Sequence, residues 1–127
     1  MPFDNPYQIP FGDVELLREA RGRISSRTDW VQGRFRDGHR ECLVAALSVV
    51  SGSRGFNMPN RLERRLARLL AVHIPHRRFW ARLRLIPARQ RLIIFNDGLR
   101  TRHEDVMALF DQAIDHLASK VSMYVAA

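Results

Sequence analysis

Apolar residues recur along this chain in blocks whose spacing predicts helices. Val14, Leu17 and Ile24 follow Asp13, which can cap a first helix over about 14–24. The stretch Leu43 to Val50 carries Leu43, Val44, Ala45, Ala46, Leu47, Val49 and Val50 with almost no polar face. A helix apolar all round is a central one, so the second helix, about 39–51 and led in by Asp37 or Gly38, should lie in the middle of the core. Gly52 is its natural stop. Asn60 and Glu63 have the spacing of an N-cap and its reciprocal acid, and Leu62, Leu66, Leu69 and Leu70 give a third helix, about 61–74, an inner stripe that ends at Pro75. A shorter segment follows with Phe79, Trp80, Leu83 and Ile86, closed by Pro87. Leu92 to Phe95 fits either a buried strand or one apolar helical turn. The last helix has Thr101 and Glu104 as a T-x-x-E capping box, with Asp105 favourable to its N-terminus. Val106, Leu109, Phe110, Ala113, Ile114 and Leu117 then make its inner stripe.

Between these blocks lie breaks. Residues 1–12 hold three prolines, a glycine and the aromatics Phe3, Tyr7 and Phe11, which reads as an extended N-terminal arm on a helical domain spanning 13–127. Trp30 to Gly38 alternates and carries two glycines, as a loop with short extended structure does. Asn96-Asp97-Gly98 stops the chain before the last helix: Asn and Gly tolerate positive φ, and Asp can bond nearby backbone N–H groups. The expected fold is a compact single-domain bundle, mainly α, of about four to five helices with room for one short strand.

Length supports that picture: 127 residues make one domain able to bury a real core. The single cysteine, Cys42, rules out an intramolecular disulfide and a multi-cysteine metal site. The N-terminus lacks the basic start and apolar stretch of a signal peptide, and the run CLVAALSVV is too short to span a bilayer, so a cytoplasmic protein without membrane contact is expected.

Charge changes the picture more. The chain carries +8, while residues 61–91 alone carry ten arginines against one acid, Glu63, a net of +9. Lys120 is the sole lysine. A GC-rich coding bias explains arginine over lysine but not the clustering. Arg61, Arg65 and Arg68 recur at helical spacing, bordered by Arg64, and Arg77, Arg78, Arg82 and Arg84 surround the next segment. Guanidinium groups suit phosphate and carboxylate, so this face is the candidate surface for nucleic acid or an acidic protein partner. Nothing specifies a base-reading helix.

Four further residues are candidates for a different role. Cys42 near a helix start, with Asn96, Asp97 and His103 available, could centre a small enzyme or ligand-binding domain. The simpler reading makes Cys42 a small core residue and Asn96-Asp97 a turn. A third role is a structural subunit that docks through its N-terminal arm, and association between copies of the chain is left open. His73 and His76 are separated by Pro75 and have no third ligand at a readable spacing. Asp111 and Asp115, four apart, read as a solvated face. No phosphate loop, nucleophile elbow or cofactor motif is present. Neither a catalytic residue, a metal nor a cofactor is assigned.

Taken in order, Trp30-x-Gln32-Gly33, then Cys42-Leu43-Val44-Ala45-Ala46-Leu47, then Phe95-Asn96-Asp97, then Thr101-x-x-Glu104-x-Val106, the chain resembles a group of small bacterial and phage domains of unknown function. That group carries W-x-Q-G, C-x-x-G-A-L and W-N-D followed by a capped T-x-x-E-V helix. The resemblance covers about residues 14–118, with Ala45 where the group has Gly and Phe95 where it has Trp. It implies a compact, mainly helical fold with Cys42 buried. It implies no activity, and it does not extend to the arginine-rich middle.

Overall fold

Six successive residues, Leu43 to Ser48, are buried, and the helix they begin, α2 (Leu43–Ser51), forms the axis of the molecule. The computed structural model describes residues 9–75 and 85–126, with side chains from Gly12 to Met123 within those spans. Around α2 lie α1 (Ile9–Arg23), α3 (Arg61–Ala71), α4 (Ala88–Asn96) and α5 (His103–Ala126). The fold is thus mainly α, five helices among the described residues and one small hairpin. Helix α1 packs on α2 and α5, and α3 packs on α2, α4 and α5. Arg21 of α1 binds Asp111 at 2.8 Å, and His103 at the start of α5 meets the carbonyl of Ile24 just after α1. Those two contacts make α1 and α5 antiparallel. No helix among the described residues is long and apolar enough to cross a membrane.

The apolar stripes read from the sequence supply the core. Val14, Leu17 and Ile24 are buried in and beside α1, as are Leu66 and Leu70 in α3 and the α5 stripe from Val106 to Leu117. Leu62 and Leu69 pack on the core from its margin. Leu92 to Phe95 is helical: it is the last part of α4, with Leu92 and Phe95 buried and Ile94 outside. Gly52 ends α2 in the left-handed region, φ 74°, where a β-carbon would be strained. Asn60 caps α3 by accepting from the Glu63 N–H at 2.8 Å, and its amide donates back to the Ser51 carbonyl at 2.7 Å. One side chain therefore sets the end of α2 against the start of α3.

Several expectations are corrected. The arm expected over 1–12 is helical from Ile9, so Asp13 lies inside α1 rather than capping it. Asp13 is buried and receives Arg65 Nη2 at 2.8 Å. Residues 1–8 lie outside the described residues. The second helix starts at Leu43, not near His39, because β1 (Arg36–Asp37) and β2 (Arg40–Glu41) pair first in an antiparallel hairpin. Gly38 heads its two-residue turn at φ 63°, the conformation a II′ turn needs at that place. The buried Glu41 anchors the hairpin to α1 through Arg23, at 2.7 and 3.0 Å. The α3 helix stops at Ala71, short of Pro75. Glu63 does not reach back to Asn60; the Asn60 N–H goes to Ser53 Oγ instead. The segment with Phe79, Trp80 and Leu83 lies outside the described residues.

The last helix is capped one residue later than its T-x-x-E motif suggests. Helix α5 begins at His103, and the Arg102 N–H is accepted by Asp105 Oδ2 at 2.8 Å, a reciprocal cap three residues on. Thr101 is buried and its hydroxyl has no hydrogen-bond partner. That hydroxyl lies 2.9 Å from where a β-carbon on Gly98 would stand. Position 98 is thus glycine for space, and no residue from 96 to 98 takes positive φ. Asp105→Ala should cost about 1 kcal/mol through removal of the cap. Thr101→Val should be neutral or stabilising, since it removes a buried hydroxyl without a partner. Denaturant unfolding of the two variants checks both outcomes; a loss at Thr101→Val matching that at Asp105→Ala would restore Thr101 as the cap.

Candidate functional site

An asparagine amide can make four hydrogen bonds: two donated from nitrogen, two accepted at oxygen. Asn96, at the end of α4 and fully within the core, makes all four. Its Oδ1 accepts from Trp30 Nε1 at 2.7 Å and from the Leu43 N–H at 3.2 Å. Its Nδ2 donates to the Val31 carbonyl at 3.1 Å and to Asp97 Oδ1 at 2.9 Å. Around it, Gln32 Nε2 shares its two hydrogens among the carbonyls of Asn96, Gly98 and Thr101, at 2.8, 3.0 and 3.1 Å. The Gly33 N–H, in the left-handed region at φ 77°, reaches Asp97 Oδ1 at 2.8 Å. The W-x-Q-G segment and the F-N-D segment are thus two halves of one hydrogen-bonded junction, and the first turn of α2 is its third member. Glycine answers the backbone conformation at 33.

Cys42 joins the same place as the N-cap of α2. Its Sγ accepts from the Ala45 N–H at 3.3 Å, and its side chain is only 6% exposed. Burial pushes the thiol above its ordinary value of 9.0, and the backbone N–H groups of Ala45 and Val44 offset this only in part. A thiol so placed stays protonated at neutral pH, the opposite of what an activated nucleophile needs.

Cys42, Asn96 and Asp97 line one cleft of about 190 Å3, together with Gly33, Arg34, Phe35, Phe56 and Ile93. Three of the four residues of the alternative site therefore meet. His103 is not among the lining residues: its Nε2 is 2.7 Å from the Ile24 carbonyl, and its ring packs against Trp30 at 5.7 Å. Since Asn96 has no hydrogen-bonding capacity left, the polar side chains the cleft can offer are Asp97, through Oδ2, Arg34 and the Cys42 thiol. Phe35 and Phe56, whose ring centres are 5.2 Å apart, and Ile93 make the apolar walls.

The arginine face divides into two kinds of residue. Arg65 is held by the buried Asp13, and Arg89 by Glu63, which is wholly buried. Arg89 Nε is 2.5 Å from Glu63 Oε2, its Nη2 donates to the Phe56 carbonyl at 2.6 Å, and its guanidinium lies 4.8 Å over the Phe56 ring. Glu63 Oε1 has no partner. Arg61, Arg64 and Arg68 are exposed on α3. Arg64 and Arg68 line a groove of about 370 Å3 with Pro59, Pro87, Ala88, Arg89 and Gln90. Helix α4 begins at that groove, and Pro87 gives it no side-chain cap. Arg77, Arg78, Arg82 and Arg84 lie outside the described residues. What sequence reasoning missed here is the internal use of Arg65 and Arg89; a lone acid, Glu63, within a leucine-striped helix was the one available signal.

His73 and His116 meet edge to face at 5.5 Å, and His73 is held below its ordinary pKa by burial and then by His116. Among the described residues no group of three His, Cys, Asp or Glu side chains is placed to hold an ion.

Two stability outcomes follow from the junction and its sulfur cap. Asn96→Ala would leave Trp30 Nε1, the Leu43 N–H and the Val31 carbonyl without partners, and should cost about 3–5 kcal/mol in chemical denaturation. Asp97→Asn keeps the oxygen that Gly33 needs and should cost less than about 1 kcal/mol. Equal losses at the two positions would mean that the junction is not centred on Asn96. Cys42→Ser replaces one capping acceptor by a better one, so it should stay within about 1 kcal/mol of wild type, whereas Cys42→Ala should lose about 1 kcal/mol. A thiol reagent should label native Cys42 slowly at pH 7 and quickly after unfolding; rapid labelling of the native protein would refute the buried, protonated thiol.

No curated protein and no solved structure matches the chain. A family model does, over residues 12–116, a span that contains the junction from Trp30 to Thr101 and both clefts. The chain belongs to the family of unknown function DUF6197.

Proposed function

We propose that this is a non-enzymatic binding protein whose α3–α4 face takes a polyanion, with nucleic acid as the partner. The observation that carries the reading is the groove where Arg64 and Arg68 stand exposed beside the uncapped start of α4. Arg61 extends the same positive stripe along α3. Burial of Asp13, Glu41 and Glu63 supports it further. Those acids are turned inward and neutralised by Arg65, Arg23 with Arg36, and Arg89. The arginines of α3 that face solvent are thereby left without a nearby balancing carboxylate among the described residues. A helix start with free N–H groups adds favourable potential for phosphate.

The Cys42 cleft gives the enzyme alternative less support. Its thiol is pushed up rather than down, and its asparagine is fully committed to the fold. Neither feature suits covalent catalysis.

Binding of this kind should be salt-dependent, with a log–log slope that flattens by about 0.9 for each duplex phosphate that a variant no longer neutralises, or about 0.7 on a single strand. Changing Arg61, Arg64 and Arg68 together to Gln should weaken binding at every sequence and leave the melting temperature unchanged. Arg65→Gln should behave differently: it strands the buried Asp13 and should cost about 1–3 kcal/mol of stability. Titrations of labelled DNA and RNA over several salt concentrations, beside thermal melts, test both statements. Absence of binding to DNA, RNA and heparin at low salt would remove the proposal, and full binding by the triple variant would move the interface off α3.

A further inference from the structure

The cleft that holds Cys42 and the groove that holds Arg64 share a wall. Phe56 lines the first, and Arg89, which lines the second, sits over the Phe56 ring and donates to the Phe56 carbonyl.

The cleft has the dimensions and chemistry of a seat for one flat ring. An apolar cavity of roughly 150 Å3 holds benzene, and this one measures about 190 Å3. Its walls are Phe35, Phe56 and Ile93. The two phenylalanine rings pack on each other, with Arg36 over one and Arg89 over the other, so a ligand ring meets their edges rather than an open face. Asp97 Oδ1 is taken by Gly33 and Asn96, and Oδ2 remains to accept a hydrogen bond from a ring N–H or exocyclic amine. Arg34, exposed at the rim, supplies a cation for an anionic group joined to that ring. A nucleotide joins a ring that carries an N–H donor to a phosphate nearby, and so fits both requirements.

We infer that the cleft takes one unpaired nucleotide of a single-stranded nucleic acid: the base against Phe56, an N–H donated to Asp97, and the flanking phosphates on Arg34 and the groove arginines. This rests on the polyanion reading above and sharpens it from nucleic acid to single strand. Bases in a duplex are paired and stacked inside it, and reach such a seat only after being extruded. Base–aromatic contact of this sort tolerates sequence, so preference among bases is modest.

The test compares three labelled 12-nucleotide probes of similar charge: a mixed-sequence single-stranded DNA, its perfect duplex, and an abasic single strand. The mixed single strand should bind several-fold more tightly than the other two. Phe56→Ala, at a residue already 40% exposed, should lower affinity for the mixed strand by roughly 5- to 100-fold and leave the abasic strand unchanged. Arg64→Gln with Arg68→Gln should weaken all three. If Phe56→Ala does not fold, Phe56→Leu and protection of Cys42 replace it: the mixed strand, but not the abasic one, should slow labelling of Cys42. Equal affinity for the mixed and abasic strands, tighter binding of the duplex, or equal protection by both strands overturns the inference and leaves the polyanion face standing. Failure of every probe to bind at low salt overturns that face as well. Free mononucleotide competing as well as the strand would make the cleft a small-molecule site and overturn the strand assignment. Polyglutamate binding as tightly as the mixed strand would assign the face to an acidic protein and likewise overturn it.

Discussion

The rest of the structure depends on one carboxamide. Asn96 is out of reach of water, and each of its four hydrogen bonds ends on a different segment or function: an indole, the first N–H of the central helix, the carbonyl of an irregular strand, and the neighbouring carboxylate. A buried amide that failed to find those partners would be costly, because in the interior no solvent takes their place. Satisfied in full, it forces the Trp30 loop, the start of α2 and the end of α4 into one arrangement. The Cys42 cleft is lined in part by that arrangement, through Gly33, Cys42, Asn96 and Asp97.

A second constraint is electrostatic. Among the described residues three carboxylates are buried, and each is met by at least one guanidinium whose outer side is wetter than the acid it serves. Such pairs add little net stability compared with apolar packing, but they fix geometry, since separating one leaves a charge stranded. The protein uses them as joints: Asp13 with Arg65 links α1 to α3, Glu41 with Arg23 links the hairpin to α1, and Glu63 with Arg89 links α3 to α4. Arginine excess therefore has two sources in this chain, internal joints and outward charge, and only the second is available to a partner.

That division explains which parts of the molecule are legible in the sequence. Leu66, Leu70 and the α5 stripe announce themselves by period, and Asn60 and Gly52 by local cap chemistry, because helix faces and caps are decided within a few residues. The hairpin before α2 is decided by Glu41 finding Arg23, 18 residues away, and Asp13 is drawn into α1 by Arg65, 52 residues on. No window of sequence contains both partners. Asn96-Asp97-Gly98 reads as a turn, and it does end a helix. Its weight in the fold is invisible in the sequence because Trp30 and Gln32 give no local sign of where their side chains donate. In the candidate sites the same limit applies: α3 shows a row of arginines, but which of them are spent inside depends on acids elsewhere in the chain.

The junction also has a kinetic meaning. Apart from the Asn96–Asp97 contact, its hydrogen bonds join residues 53 to 69 positions apart, so none of these can form until a long loop has closed, at an entropic cost that local contacts do not share. Helices α3 and α4 lie within that loop and can gather early. The Trp30 segment, the start of α2 and the end of α4 must then lock together in one late step. An element so tied should not fray on its own. A chain released before residue 96 has emerged lacks the piece that closes this seam.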